Sequence, residues 1–173
     1  MKIILLSILI SLNIFAVELN TTLKEISIKG EDGGLVLDAS QWNSSSIKDK
    51  IYVLFYVDPD EKDTNAEFSD ALKKKEFDKS NFGSIAVINL AATWKPNFII
   101  ESILKSKQEK FPRTIYVKDK NSVLVKKWGL ADNSSEILIF SKNSKVLFYK
   151  SGKMTKEDIS KAMDIITNNL VKK

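Results

Sequence analysis

The sequence contains no cysteine and no histidine among its 173 residues. Without cysteine the chain has no disulfide, no thiol nucleophile, no Cys-x-x-Cys redox pair and no thiolate metal site. Without histidine it has no Ser-His-Asp triad, no imidazole base and no histidine-ligated zinc. Disulfide exchange and thiol-dependent peroxidase activity are therefore excluded for the isolated chain.

Arginine, glycine and proline are also scarce. Arg113 is the only arginine, and the six glycines and three prolines form no linker. The net charge of +5 comes from lysines that acidic residues interrupt. A nucleic-acid surface favours arginines and interleaved aromatic side chains on one face. We therefore interpret the lysines as a solvated surface and expect no nucleic-acid partner.

Residues 1–16 have the pattern of a secretory signal peptide. Lys2 precedes an apolar run at residues 3–10, and Ala16 is a small residue at the cleavage position. The run is shorter than the roughly 20 residues that a membrane span needs, so an uncleaved anchor is the less favoured alternative. The heavy use of Lys, Asn and Ile favours a bacterial source. We predict cleavage after Ala16, a single periplasmic domain of residues 17–173 and no stable membrane insertion.

Apolar periodicity predicts an α/β domain. Residues 51–57 are a continuous apolar run, typical of a strand buried on both faces, and the mostly apolar residues 84–90 predict a second buried strand. The helix between them completes a right-handed βαβ unit. Alternation at residues 26–28 and 35–37 predicts an N-terminal β-hairpin. The further predicted elements are a helix with apolar residues 98–104, a strand at 114–117, a short helix at 123–128 closed by Gly129, a hairpin of strands 136–140 and 145–149, and a last helix capped by Thr155.

This order resembles known architectures. A βαβ unit followed by a ββα unit is the thioredoxin arrangement, and the added strand and short helix resemble the peroxiredoxin-type elaboration. We therefore expect a mixed central sheet flanked by helices. A closer resemblance is to the YtfJ family of exported bacterial proteins, in segments spread over most of the chain: Leu-Val-Leu-Asp at 35–38, the strand at 51–57, Ile-Asn-Leu at 88–90, Lys-Trp-Gly-Leu-Ala-Asp-Asn-Ser-Ser at 127–135, and the final hairpin and helix. That resemblance implies a thioredoxin-like fold and a periplasmic location.

Both halves of the usual redox site of that fold are absent. The reactive cysteine of such proteins follows the first central strand, where the next helix begins. Here the corresponding residues 58–65 read Asp-Pro-Asp-Glu-Lys-Asp-Thr-Asn. The opposing loop, which usually presents a cis-proline, corresponds to residues 133–136 and reads Asn-Ser-Ser-Glu. We therefore predict a protein that retains the thioredoxin-like arrangement of strands and helices but has no redox activity.

The acidic segment after the first central strand has two interpretations. Asp58, Asp60 and Asp63 carry oxygen atoms of the kind that bind Ca²⁺, but they have neither the length nor the closing glutamate of an EF-hand. The favoured interpretation is a capped helix start with solvated carboxylates. We accordingly expect no metal and no cofactor.

Trp94, Ser134 and Ser135 complete the candidate binding site. Open α/β sheets bind ligands beyond the carboxyl ends of their strands, and both Asp58 and Trp94 follow strands there. The competing interpretations are a partly buried helix anchor for Trp94 and a turn for the two serines. Without a neighbouring base, neither serine is a nucleophile. The predicted set, the candidate rim, consists of Asp58, Asp60, Glu61, Asp63, Trp94, Ser134 and Ser135.

The sequence favours a non-enzymatic binding or adaptor module whose partner is an envelope protein or a small ligand. One alternative is a hydrolase that uses carboxylates, with or without a divalent ion, and would need two carboxylates of separated pKa. A DNA-associated regulator is a third and weaker alternative, because an export signal and the missing DNA-binding helix pair oppose it.

Overall fold

The central strand of the fold is the apolar segment that the sequence indicates, at Ile51–Val57. The computed structural model describes residues 17–171. The predicted signal peptide, residues 1–16, and the last two residues of the predicted domain lie outside the described residues. None of the helices in the described range is long and apolar enough to cross a membrane.

Eight strands and four helices follow one another along the described chain. They are β1 Ser27–Ile28, β2 Gly33–Leu35, β3 Trp42–Asn43, β4 Ile51–Val57, α1 Ala66–Lys75, β5 Phe82–Asn89, α2 Asn97–Lys110, β6 Thr114–Asp119, α3 Val123–Trp128, β7 Ser135–Phe140, β8 Val146–Ser151 and α4 Lys156–Val171.

A six-stranded mixed sheet forms the centre of the molecule, in the order β2-β6-β5-β4-β7-β8. Strands β4, β5 and β6 run parallel, as the predicted βαβ unit requires. Strand β7 lies antiparallel to β4 on its other side, and β8 follows β7 as a hairpin. The sheet therefore has one edge at which β4, β5 and β6 end and β7 begins.

Alternation along the strands gives the sheet two apolar faces. One face packs against α1 and α4, through residues such as Val53, Phe68 and Ile166. Helix α2 covers the same face further along the sheet, through Ile100 and Leu104. The other face packs against α3 and the N-terminal segment, including the buried Trp42 and Trp128.

The predicted N-terminal hairpin is wrong in its pairing. Strand β1 pairs with β3, and β2 pairs with the central sheet through β6. Gly33 makes the second pairing possible. Its φ of +120° is outside the range of L side chains, and a Cβ there would lie 2.0 Å from the carbonyl oxygen of Lys118. Strand β2 therefore extends the main sheet instead of folding back on β1.

Local capping signals place the ends of the helices. Thr155 Oγ1 accepts the Asp158 N–H at 3.1 Å, and Asp158 Oδ2 accepts the Thr155 N–H at 2.9 Å, which is a capping box at the start of α4. Gly129 ends α3 with a φ of +68°, as the sequence predicts. The predicted capped helix start with solvated carboxylates after β4 is wrong: the segment forms a short 3-10 turn at Pro59–Glu61, α1 begins only at Ala66 without a side-chain cap, and Asp58 is buried.

Candidate functional site

Polar residues gather on one side of the sheet at the edge where β4, β5 and β6 end. The strand register places Asn89 beside Asp119 and Tyr56 beside Glu136. Asp58 follows β4 and has the same orientation as Tyr56, because side chains alternate along a strand. This set, the polar edge, comprises Tyr56, Asp58, Asn89, Asp119, Ser122, Asp132 and Glu136.

Asp58 is the residue of the polar edge that the fold leaves unsatisfied. Its side chain is only 2% exposed, and neither carboxylate oxygen accepts a hydrogen bond of good geometry within the described residues. Burial raises the pKa of Asp58 to about 6; the Ser134 backbone and the Asn89 amide oppose this only in part. The negative charges of Asp132 and Glu61 raise the pKa further. A buried carboxylate of this kind is stable only when it is protonated, or when a hydrogen-bond donor or a cation binds it.

Asn89 connects the interior of the polar edge to the surface. It is fully buried at the end of β5. Its Nδ2 donates to Asp132 Oδ1 at 2.8 Å, and its Oδ1 accepts the Ser122 hydroxyl at 3.0 Å. Asp132 itself is exposed. The amide thus fixes a surface carboxylate next to the buried Asp58.

Asp119 has a structural role. Its carboxylate accepts the backbone N–H groups of Val123 at 2.8 Å and Leu124 at 3.1 Å, and so satisfies the first turn of α3. Tyr56 donates its hydroxyl to the same carboxylate at 3.2 Å. Burial raises the pKa of Asp119, and Tyr56 and the backbone N–H groups of Val123, Leu124 and Asn121 oppose that increase. Burial also raises the pKa of Tyr56, so it remains a neutral donor.

Glu136 is likewise satisfied inside the fold. It is fully buried, and it accepts the hydroxyls of Tyr149 at 2.6 Å and Ser151 at 2.7 Å from the neighbouring strand β8. Burial and this contact raise the pKa of Tyr149. Within the polar edge, therefore, only Asp58 has open acceptor atoms in the interior.

The two serines of the candidate rim have different environments. Ser135 is buried, and its hydroxyl accepts from Asn65 Nδ2 at 3.0 Å. Asn65 in turn accepts the Met154 N–H at 2.9 Å, so this contact ties α1 to the entry of α4. Ser134 is half-buried, and its carbonyl accepts the Asp58 N–H at 3.1 Å. Ser134 is thus placed beside Asp58, whereas Ser135 faces the interior.

The other acidic residues of the rim are paired. Asp60 is bound by Lys95 and accepts the Thr93 hydroxyl at 2.9 Å, and Asp63 pairs with Lys62. The hydrogen bond from Lys95 keeps the pKa of Asp60 below its usual value, and that from Lys62 does the same for Asp63. Glu61 accepts the hydroxyl of Thr64. Two of the three carboxylates considered for Ca²⁺ therefore already hold a lysine, and the described residues contain no cluster of three acidic groups that fits a metal ion.

Trp94 lies at the surface next to this segment. Its side chain is 87% exposed, so the interpretation as a partly buried helix anchor is wrong. Its neighbours Thr93 and Lys95 both bind Asp60, two residues beyond Asp58. Helix α2 starts three residues later with further exposed apolar side chains. The apolar surface comprises Trp94, Phe98, Ile99 and Ile103.

The charge of the polar edge is negative although the chain is basic. Asp58, Asp119, Asp132 and Glu136 form no ion pair with any lysine or arginine of the described residues. The sequence has 27 basic side chains, so their absence here is not a matter of composition. Of the polar edge, sequence reasoning identified only Asp58 as a site residue. It missed Tyr56, Asn89, Asp119, Ser122, Asp132 and Glu136. The available signal was a polar residue closing each of two buried strands, at Asn89 and Asp119.

Solved structures with the same arrangement define the class. The chain matches a putative thiol:disulfide interchange protein DsbE from Chlorobium tepidum with a TM-score of 0.61, covering 90% of this chain and 99% of that one at 13% identity. An exposed lipoprotein thioredoxin from Streptococcus pneumoniae matches with a TM-score of 0.54, at 14% identity and 82% and 98% coverage. These similarities show the fold: this is a protein of the thioredoxin-like class, and its sequence contains no cysteine.

The sequence comparisons give the family. Residues 17–169 match the family described as bacterial protein of unknown function (YtfJ_HI0045), and the chain belongs to that family. The protein YtfJ of Escherichia coli (strain K12), described as uncharacterized, is 27% identical over 142 residues, 78% of this chain and 77% of its own length. The predicted resemblance is thereby confirmed.

Proposed function

We propose that this protein is an exported, periplasmic, non-enzymatic binding module. Its partner docks where the polar edge meets the apolar surface. The observation that carries the proposal is the exposure of Trp94, because a tryptophan that is 87% exposed leaves a large apolar area in water. Tryptophan is also among the residues that dominate binding energy at protein interfaces.

The surroundings of Trp94 support a docking surface rather than an isolated exposed residue. Ile99 and Ile103 are one helical turn apart, and Phe98, 74% exposed, precedes them on α2. An exposed apolar area next to polar groups is typical of interaction sites. The bonds from Thr93 and Lys95 to Asp60 join this surface to the segment that follows Asp58.

Export is proposed from the N-terminal sequence. Residues 1–16 have the charge and hydrophobicity of a signal peptide, and the family match begins at residue 17. Mass spectrometry of the mature protein from fractionated cells tests this proposal. A chain that starts at Val17 in the periplasmic fraction supports export, and an intact chain from Met1 in the cytoplasm contradicts it.

Site-specific crosslinking tests the binding function. A photoreactive residue at position 94 should capture a defined envelope partner in living cells, and the same residue at Leu19, which is also exposed and apolar, should not. A Trp94→Ala variant that is folded should lose the partner, whereas Leu19→Ala should keep it. Equal capture at both positions, or capture that Trp94→Ala leaves unchanged, would contradict a docking surface at Trp94.

One observation favours the alternative of a carboxylate-dependent hydrolase. Burial raises the pKa of Asp58 to about 6, into the range of a general acid or base near neutral pH, and a second carboxylate, Asp132, lies close enough to raise it further. The test is a screen of the purified protein against ester, phosphoester and glycoside substrates, with Asp58→Asn alongside. Turnover by the parent protein that Asp58→Asn abolishes would establish the enzyme and displace the binding module.

A further inference from the structure

We propose that the polar edge receives a positively charged side chain, an arginine or a lysine of a peptide segment of the partner, which binds between Asp132 and Asp58 while its apolar neighbours cover Trp94. This inference rests on the proposed function and specifies the chemistry of its partner. Three features of the structure lead to it.

The first feature is the pair of open oxygen atoms on Asp58. A carboxylate in a residue that is only 2% exposed is ordinarily matched by a counter-ion and hydrogen bonds. The Ser134 backbone and the Asn89 amide face Asp58, but neither of its oxygens accepts a hydrogen bond of good geometry. Its neighbours Asp119 and Glu136 show the contrast, because backbone donors and hydroxyls satisfy them completely. Two oxygens of one carboxylate, neither with a hydrogen bond of good geometry, match the paired donors of a guanidinium group.

The second feature is the sign of the charge around Asp58. Asp132 and Glu61 lie close enough to raise its pKa, and no described lysine or arginine pairs with Asp58 or Asp132. Asp60 and Asp63, in the same segment, are each neutralised by a lysine. Lysines therefore neutralise Asp60 and Asp63, whereas Asp58 and Asp132 have no cationic partner among the described residues and attract a cation from outside.

The third feature is an exposed carboxylate near Asp58. Asp132 is exposed, and its Oδ1 accepts a hydrogen bond from the Nδ2 of the buried Asn89 at 2.8 Å, which holds Asp132 close enough to raise the pKa of Asp58. An incoming cation meets Asp132 first, and its charge then favours the ionised form of Asp58. The neighbours of Trp94 bind Asp60, two residues beyond Asp58, and the exposed indole offers an apolar surface to the rest of the peptide. The occupant is therefore a basic residue with apolar neighbours, not an anionic or a fully polar segment.

Peptides that differ only in charge test the proposal. The probes are capped pentapeptides with randomised flanking residues and a fixed central residue: arginine, lysine, citrulline, glutamine or glutamate. Citrulline has the shape of arginine without its charge. We expect the arginine and lysine sets to bind the purified residues 17–173 at least about tenfold more tightly than citrulline at pH 7.5, measured by calorimetry and by Trp94 fluorescence.

Two variants and a pH series assign that difference to Asp58. Asp58→Asn should remove the preference for arginine over citrulline, and Asp63→Asn, a change of the same kind at a carboxylate held by Lys62, should not. At pH 5 the preference should fall, because protons then compete with the cation at Asp58. Asp132, Glu61, Asp119 and Tyr56 are the other titratable groups that face this site, so the Asp58 carboxyl is followed directly by ¹³C NMR. Its pKa should fall when the arginine peptides bind.

The outcomes separate this inference from the proposed function. Equal binding of arginine and citrulline sets, or loss of the preference in Asp63→Asn as well, overturns the cationic occupant and leaves partner capture at Trp94 intact. Binding of Ca²⁺ alone that shifts the Asp58 signal, with no effect of peptides, also overturns it. No binding by any peptide set overturns it too, and the crosslinking at position 94 then decides the binding function separately.

Discussion

At the scale of single residues, Asp58 is the position where stability and binding are expected to oppose each other. The residue follows β4 directly, and it is buried without hydrogen bonds of good geometry. Residues that serve a ligand are often poorly satisfied in the free protein. A change that neutralises Asp58 therefore separates a functional role from a structural one.

We expect Asp58→Asn to stabilise the free protein at pH 7.5 by about 1–3 kcal/mol, since it removes a buried charge without a partner and keeps the shape of the side chain. Urea unfolding measures the change. Asp63→Asn is the matched control and should have no measurable effect, because Asp63 is exposed in its pair with Lys62. A loss of stability in Asp58→Asn would mean that the carboxylate is satisfied in the free protein.

Trp94 allows a second prediction at this scale. Trp42 and Trp128 are buried in the core and Trp94 is 87% exposed, so a neutral quencher such as acrylamide should reach only Trp94. Trp94→Phe should abolish the quenchable part of the fluorescence and leave the unfolding midpoint unchanged. Quenching that persists in Trp94→Phe would place one of the other tryptophans at the surface.

At the scale of elements, the edge strand β2 depends on one glycine. Gly33→Ala should cost about 3 kcal/mol or more, because its φ of +120° is strained for alanine and the new Cβ would meet the Lys118 carbonyl. Gly30→Ala is the control: φ is also positive there, at +58°, but nothing lies within 4 Å of the new Cβ. It should cost about 1 kcal/mol. Equal losses in thermal unfolding would contradict the β2–β6 pairing.

The capping box of α4 gives a prediction for a helix end. Thr155→Ala should destabilise the protein by about 1 kcal/mol, because the Asp158 N–H loses its acceptor. Thr155→Ser keeps the hydroxyl and should retain most of the stability. If thermal unfolding shows no difference between the two variants, the hydroxyl does not cap the helix.

These elements show which parts of the fold could be predicted from the sequence. Strand β4, helix α3 and the Thr155 cap were predicted correctly, because each depends on neighbouring residues: an apolar run, a closing glycine or a residue three positions on. The N-terminal hairpin failed because β2 pairs with a strand more than 80 residues away. The exposure of Trp94 and the isolation of Asp58 likewise depend on which distant segments cover them, and no local pattern carries that information.

At the scale of the whole molecule, the acidic groups whose pKa is shifted fall into two classes with opposite effects on stability. Asp38, Asp60, Asp63, Asp78, Glu101 and Asp158 have a lowered pKa, which for Asp158 is about 2, owing first to its hydrogen bond with Lys150. Such groups stabilise the fold above the unfolded pKa, and their contribution is lost as the pH falls towards the folded value. Asp58 and Asp119 have a raised pKa and act in the opposite direction.

Together, the raised and lowered pKa values predict an unusual dependence of the free energy of unfolding on pH. Between the unfolded value of 3.8 and the folded value of about 6, Asp58 is protonated in the folded protein and ionised in the unfolded one. The unfolded state then binds fewer protons, so the free energy of unfolding falls as the pH rises through this window. The lowered carboxylates lose their contribution only on the acid side of it. The urea midpoint should therefore be highest at about pH 4–5 and decline towards pH 7, and in Asp58→Asn the decline should largely disappear. A wild-type profile that is flat or rising from pH 4.5 to 7 would mean that Asp58 titrates normally. The open carboxylate on which the cationic partner depends would then have a donor in solution, and the case for a charged occupant would lose its physical basis.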